Sequence, residues 1–335
     1  MNILLTSVGR RSYIVEYFKQ VMQDLGEVHV SNSTSMSPAF VQADRSVVTP
    51  YIYEESYIPF LLEYCLKHQI DAIIPLLDMD LPRLAANKHT FAQIGTKVIV
   101  SDEEVIHICN DKWQTYLFLS QHGFDVPRTY VSLEQVIVQV DQQRLTYPII
   151  VKPRWGMGSI GVYEAENEEE LRVFYRKVKS MIHHSAMGYA SSIDLDHPVI
   201  LQEKINGQEY GIDIINNLEG VYQNAIVKIK YAMRSGETDC AETVDHPELK
   251  QIGKRISQKL HHVGNMDVDV CVDGNTCYIL ELNARFGGGY PFSHLAGVNL
   301  PLAIVKWLHN EETDAGIVLE QFGVKSYKDI RMTRI

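Results

Sequence analysis

Short apolar runs and helical periods alternate along the first third of the chain. Residues 2–7 form an apolar run, and Gly9, Arg10 and Arg11 precede a helical period carrying Ile14, Phe18 and Val21. Residues 28–31 predict a second strand, 60–66 a helix, 71–75 a third strand, 81–91 a helix and 97–101 a fourth strand. Strands separated by helical periods pair in parallel through right-handed crossovers, so this region predicts an open, doubly wound α/β sheet.

The pattern changes near Asn110. Residues 111–122 read as helix, 126–131 as strand, and 149–152, just after Pro148, as a buried strand. Asn167 is placed to cap a helix with Leu171, Phe174, Val178 and Ile182 at helical spacing. Strand patterns follow at 199–203, 210–215 and 221–229, and Asp245 is the predicted cap of a helix carrying Leu249, Ile252, Ile256 and Leu260. Residues 268–272 and 277–282 make a hairpin about Asp273 and Gly274. The expected organisation is an α/β unit over residues 1–109, a small lobe with a glycine loop over 110–190, and a C-terminal lobe over 191–335. The last two form an α+β fold, and the crevice between units is the expected ligand site.

The 335 residues are 45% hydrophobic, enough for a core without staples. A net charge of -11 argues against nucleic acid or an anionic membrane as partner. Residues 1–13 lack the apolar run of a secretory signal, and no window has the length of a membrane span. The five cysteines (Cys65, Cys109, Cys240, Cys271 and Cys277) form no CxxC and no zinc spacing, which reads as reduced thiols in a cytoplasmic protein. Cys271 and Cys277 flank the hairpin turn as candidate cross-strand neighbours and read as inert core thiols.

Gly156, Gly158 and Gly161 satisfy G-x-G-x-x-G, but Val162 and Tyr163 follow as strand formers and helix signals begin only at Asn167. A dinucleotide fold runs from strand directly into helix at this motif. Here the loop joins two strands, as a flap over a polyphosphate or as a plain surface hairpin. No G-x-x-x-x-G-K-[ST] occurs, and the kinase order fails because Lys152 precedes the loop.

In the predicted hairpin, Glu281 and Asn283 lie two apart on one strand and share a face. Asp269 falls near Glu281 on the other strand. Three oxygen donors suit Mg²⁺, which takes few protein carboxylates and completes its shell with phosphates and water. Val268, Val270, Leu280 and Leu282 are expected in the core, and the competing reading makes the acids a solvated hairpin face. Ala284, Arg285 and a Phe-Gly-Gly-Gly run follow directly, placing a cation and flexible backbone beside the acids.

Four stretches in this order resemble the ATP-grasp superfamily, in its carbamoyl-phosphate-synthase-like and amino-acid-ligase branches. They are Asp111 with Lys112, YPIIVKP with the glycine loop, ILQEKINGQEYGIDI, and DVDV followed by ILELNAR. The first third is similar to the family's preceding α/β (pre-ATP-grasp) domain. The resemblance implies ATP and Mg²⁺ (or Mn²⁺) as cofactors. It implies Lys112 and Lys152 on the ATP phosphates, Gly156, Gly158, Ser159 and Gly161 in the flap, and Gln202, Glu203, Lys204 and Ile205 facing the adenine. It further implies Glu209 on the ribose, Asp269, Glu281 and Asn283 as metal ligands, and Arg285 near the transferred phosphoryl group. Several such ligases carry an arginine at the position of Asp267. Its role then passes to Arg285, Arg234, Lys228 or Lys230, or the acceptor differs.

The implied activity is that of an ADP-forming carboxylate–amine ligase working through an acyl phosphate on small-molecule substrates, a small amino acid among them. Enzymes phosphorylating bicarbonate or carbamate, and a non-catalytic ATP-binding subunit, are the alternatives, and a homodimer is left open. Lys228, Lys230, Arg234 and Glu237 are expected on a strand and loop facing the cleft. Arg10 and Arg11 with Asp78 and Asp80, at strand tips of the first unit, are candidates to read an amino acid's two charges or to cap the helices that follow. His183, His184, His261 and His262 read as helix surface, and the tail 322–335 as an edge strand or a docking segment.

Overall fold

The computed structural model describes residues 1–185 and 187–334. Its first unit is a parallel sheet of β1 (Asn2–Thr6), β2 (Val28–Asn32), β3 (Arg45–Val48), β4 (Ile70–Pro75) and β5 (Lys97–Val98), in the order β3-β2-β1-β4-β5. The order reverses between β1 and β4, and the carboxyl ends of those two strands open a crevice there. The edge strand β3 escaped the pattern because its four residues are largely exposed and carry no apolar alternation. The predicted fourth strand shrinks to two residues, and the single helix over 81–91 is two, Leu81–Ala86 and Lys88–Gln93.

The helix Ser12–Met22 turns Ile14, Val15, Phe18 and Met22 onto the sheet. The same core takes Ile304 and Trp307 from the helix Leu300–Leu308, so the chain's last third returns to cover its first unit.

The small antiparallel sheet joins β6 (Thr129–Tyr130), β7 (Ile149–Pro153), β8 (Tyr163–Ala165) and β9 (Val199–Glu203), in the order β6-β9-β7-β8. The glycine loop connects β7 to β8. The helix Glu168–His183 covers this sheet through Leu171, Val178 and Ile182. Asn167 accepts the Glu170 amide at 2.9 Å while the Glu170 carboxylate accepts the Glu166 amide, two helix-start donors satisfied at once.

The large antiparallel sheet holds β10 (Gln208–Asn216), β11 (Tyr222–Arg234), β12 (Glu237–Thr243), β13 (Gly264–Asp273), β14 (Thr276–Asn283) and β15 (Lys325–Tyr327), in the order β14-β13-β10-β11-β12-β15. The tail therefore closes as an edge strand on β12. The segment read as a loop after Arg234 is the turn into β12. The helix Pro247–Leu260 starts at His246, not Asp245: the His246 imidazole accepts the Leu249 amide.

All five cysteines are buried and free. Cys271 faces Tyr278 and Cys277 faces Val272, so the two thiols are diagonal neighbours, and burial pushes Cys277 up to about 11. His262 is not helix surface. It is fully buried, its Nε2 donates to the Ile214 carbonyl at 3.0 Å, and its own carbonyl accepts from Asn216. Burial lowers its pKa to about 4. An unfolded histidine takes up its proton near pH 6.5, so stability falls as pH drops through 6.5 toward 4, by roughly 3 kcal/mol for this group. Urea titrations at pH 7 and pH 4.5 should show that slope, and His262→Gln should flatten it; an unchanged slope in the variant would assign the acid sensitivity elsewhere.

Candidate active site

One cavity of about 810 Å³ lies where the three sheets meet. The turn of β13 and β14 is closed by Gly274 and Asn275, with Asp273 opposite Thr276. This register sets Asp269 directly opposite Glu281 and Asn283 opposite Asp267. A bulge then leaves Leu280 unpaired between Glu281 and Ile279, and Leu280 lines the cavity instead of the core that holds Val268, Val270 and Leu282.

Asp269, Glu281 and Asn283 converge on the cavity wall. Lys112 Nζ stands 2.9 Å from Glu281 and Lys230 Nζ 2.5 Å from Asp269. Burial works to raise Asp269, but the Lys230 charge and hydrogen bond, together with the Arg285 and Lys228 charges, hold the carboxyl below its ordinary range. Among the described residues no three His, Cys, Asp or Glu side chains gather as a metal cluster. The donor set is thus two carboxylates and an amide, all hard oxygens, which fits a Mg²⁺ completed by phosphate oxygens and water.

Lys112 is placed by a clamp. Asp111 caps its helix, Lys112–Gln121, by accepting the Trp113 amide at 2.9 Å, and takes a two-point bond from Arg154 at 2.7 Å to each oxygen. Arg154 follows β7 and also reaches Asp194, tying the helix start to the flap strand. Lys112 Nζ donates to the Gly156 carbonyl at 2.7 Å. Lys152 donates to Gln202 at 2.8 Å, and Gln202 in turn donates to Thr129. Desolvation lowers the Lys152 pKa to about 8, with Glu281 opposing and Lys112 assisting.

In the flap, Gly156, Gly158 and Ser159 line the cavity. Gly161 lies behind it, where a side chain would strike Met181. Gln202, Glu203, Lys204, Ile205 and Glu209 all line the cavity, with the Glu203 and Lys204 side chains paired to Arg128 and Glu164.

At the far end, Ser7, Arg10, Arg11 and Asp78 come from the carboxyl ends of β1 and β4. Arg285 donates to Asp78 at 2.9 Å and to Asp267 at 3.2 Å, so its charge is shared between two acids. Asp78 Oδ1 is buried without a hydrogen-bond partner among the described residues. Burial and the neighbouring Asp269 raise the Asp267 carboxyl.

Three expectations fail here. Lys228 lies on the same face of the sheet as Lys230 but is buried against Asp213 and the Gly289 carbonyl, not in the cavity wall. Arg234 points to Asp239 and the Lys328 carbonyl, away from the cavity. Asp80 is fully buried among Thr6, Ser7 and Tyr57, leaving Asp78 alone as the acid at that strand tip.

The chain matches a family model described as ATP-grasp domain over residues 109–289, and one described as PylC-like, N-terminal domain over residues 3–99. The chain belongs to the ATP-grasp family. Its fold is that of solved ATP-grasp structures. The biotin carboxylase domain of the Hydrogenobacter thermophilus 2-oxoglutarate carboxylase, a dimer with MgADP, ADP and bicarbonate, superposes with a TM-score of 0.72 at 16% identity, covering 93% of this chain and 70% of that one. The L-amino acid ligase from Bacillus licheniformis gives 0.70 at 17% identity, covering 95% and 78%. The carbamoyl phosphate synthase large chain of Methanoregula boonei is 21% identical over 308 residues, 86% of this chain and 27% of that protein. The chain spans about a quarter of the length of the curated relatives it matches.

Sequence reading missed several cavity residues of this ATP-grasp protein, Ile150, Glu164, Met233, Cys271 and Leu280 among them; Cys271, expected in the core, reaches the cavity lining. Strict strand alternation sends Leu280 inward, and only the bulge, with no sequence signal of its own, turns it out. Among the described residues, no helix is long and apolar enough to cross a membrane.

Proposed function

We propose that the protein is an ATP-dependent, ADP-forming carboxylate–amine ligase working through an acyl phosphate, with a small amino acid among its substrates. The observation that carries this reading is the single cavity holding Lys112, Lys152, the glycine flap, the 202–205 hinge, the Asp269, Glu281 and Asn283 oxygens, and Arg285. Residues 1–109, 110–190 and 191–335 are the proposed units, with β9 completing the middle one. A homodimer is proposed on the likeness to the dimeric Hydrogenobacter thermophilus domain, to be checked by light scattering. Five free thiols support a reducing, cytoplasmic setting.

Phosphoryl transfer needs positioning and charge neutralisation more than covalent help. The Lys112 and Lys152 ammonium groups and the flap amides supply both to the β- and γ-phosphates, the hinge faces the adenine, and Glu209 the ribose. Mg²⁺, held by Asp269, Glu281 and Asn283, would neutralise phosphate charge. A substrate carboxylate oxygen attacks the γ-phosphorus and ADP leaves; the amine nitrogen then attacks the acyl carbon, phosphate leaves and the nitrogen loses a proton. Arg285 and Lys230 both line the same cavity. The unpartnered Asp78 Oδ1 and the Arg10 and Arg11 cations offer an acceptor for a substrate ammonium and donors for its carboxylate.

The test is ADP release from MgATP across a grid of small carboxylates and amino acids, bicarbonate plus ammonium included. Turnover requiring an acid and an amine together supports the ligase. Turnover on bicarbonate would assign carbamoyl-phosphate chemistry, and bound nucleotide with no ADP under any pair would leave a binding subunit. A pH effect should accompany nucleotide binding. With the Lys152 pKa near 8 in the free protein, phosphate draws a proton onto Lys152, so MgAMP-PNP affinity should fall as pH rises from 7.5 to 9.5. Calorimetry in buffers of different ionisation enthalpy should show proton uptake near pH 8 that Lys152→Met abolishes; uptake retained in the variant would move the titration to another group.

A further inference from the structure

The turn between β11 and β12 has no part in the mechanism above, yet it reaches the cavity, and the tail strand β15 pairs with β12 beside it. Glu237 lines the cavity at the start of β12, its side chain lying flat on Gly288. The turn just before it, Ser235 and Gly236, backs the flap: a side chain at Gly236 would run into the Gly158 backbone. Gly236 also has a φ of +76°, so glycine serves both the turn and the contact.

Outside the cavity wall, Lys328 donates from Nζ to Glu237 Oε2 at 3.2 Å and from its amide to the Asp239 carbonyl at 2.8 Å. Its own carbonyl accepts from Arg234. The Lys328 ammonium lies 5.9 Å from the rings of both Tyr13 and Phe292, and Arg331 reaches Glu16 at 2.7 Å on the first unit. Residues 325–331 thus run as a strap from the edge of the large sheet to the parallel-sheet unit, crossing beside the cavity mouth.

We propose that Lys328 is a positioning residue of the site, holding the Glu237 carboxylate in the cavity and, through the 234–237 turn, setting the closed position of the glycine flap. The Glu237 side chain is 48% exposed and would sample several rotamers if unpaired, while that of Lys328 is only 20% exposed. The flap part of the claim rests on the nucleotide reading of the cavity; the ion pair and the turn do not.

The experiment is hydrogen exchange on the full chain, free and with MgAMP-PNP, for wild type, Lys328→Met, Lys328→Arg and Glu237→Gln. Lys328→Met should speed exchange of amides 234–239 by about fivefold, the effect of losing a part-exposed ion pair. Amides 156–161 should follow in the nucleotide complex, with core strands β1 and β13 unchanged as the folding control. Lys328→Arg should restore both segments, and Lys328→Met with Glu237→Gln should be no faster than either alone. Unchanged exchange in Lys328→Met, or no rescue by arginine, overturns the positioning role. A wild type that does not bind MgAMP-PNP sinks the nucleotide reading instead, and the ligand-free comparison still decides the role of Lys328.

Discussion

Glu281→Ala should lower the rate of MgATP-dependent ADP release by on the order of 10²–10⁴ while leaving the protein folded. The carboxylate sits on the cavity-facing side of β14, opposite Asp269, and pairs with Lys112 at 2.9 Å. Its removal takes away a carboxylate that would hold the Mg²⁺ proposed to balance phosphate charge, and it leaves the Lys112 ammonium without this partner. Preorganised charge in an enclosed site contributes far more than the same charge in water. The side chain is 25% exposed, so no core packing is lost and folding should be near wild type. Glu281→Gln keeps the shape and should lose nearly as much, because a neutral amide is a much weaker Mg²⁺ ligand than a carboxylate. Near wild-type turnover in either variant would end the metal-ligand assignment, and a fall in turnover matched by a fall in melting temperature would make the effect structural.

Asp213→Ala should destabilise the fold by roughly 3–5 kcal/mol, measured by urea unfolding, because it leaves the Lys228 ammonium buried without its partner. Both side chains are essentially inaccessible. Asp213 also accepts from Ser293 Oγ at 2.5 Å and Asn265 Nδ2 at 3.1 Å, while Lys228 reaches the Gly289 carbonyl at 3.3 Å. The pair therefore fastens the glycine run after Arg285 to the middle of the large sheet. Replacing both charges, Asp213→Leu with Lys228→Met, should recover much of the loss, since a buried pair gains little over a packed apolar one. If Asp213→Ala unfolds within 1 kcal/mol of wild type, Lys228 is not a buried structural cation and its expected place in the cleft returns.

Much of this protein was legible in local pattern. Alternating strands and helices imply parallel pairing whatever the substrate, so the doubly wound sheet followed from periodicity. The glycine loop between two strands was readable because Val162 and Tyr163 exclude a helix there. The two-residue turn at Gly274 and Asn275 brings Asp269 opposite Glu281 with no help from the rest of the fold.

What escaped depends on contacts between distant segments. Lys228 and Lys230 lie two apart on β11 and read alike. Burial beside Asp213, against Asp269 at the cavity wall, separates a structural cation from a site cation. Asp78 and Asp80 are equally acidic in sequence, but the helix start turns one toward Arg285 and the other toward Tyr57. The Asp267 pairing with Arg285 joins positions 18 apart, and that of Arg285 with Asp78 joins positions 207 apart. The sequence by itself determined most of the elements, the order of the motifs and the carboxylate pair, because those rest on repeats of two and three to four residues and on one short turn, while β3 and β12 carry no such repeat. Only the tertiary structure decided which charges face the cavity, where the bulge turns Leu280 outward, and that the tail returns to Glu237. A charge's role is set by its partners and by the water it keeps, and neither is written in the residues beside it.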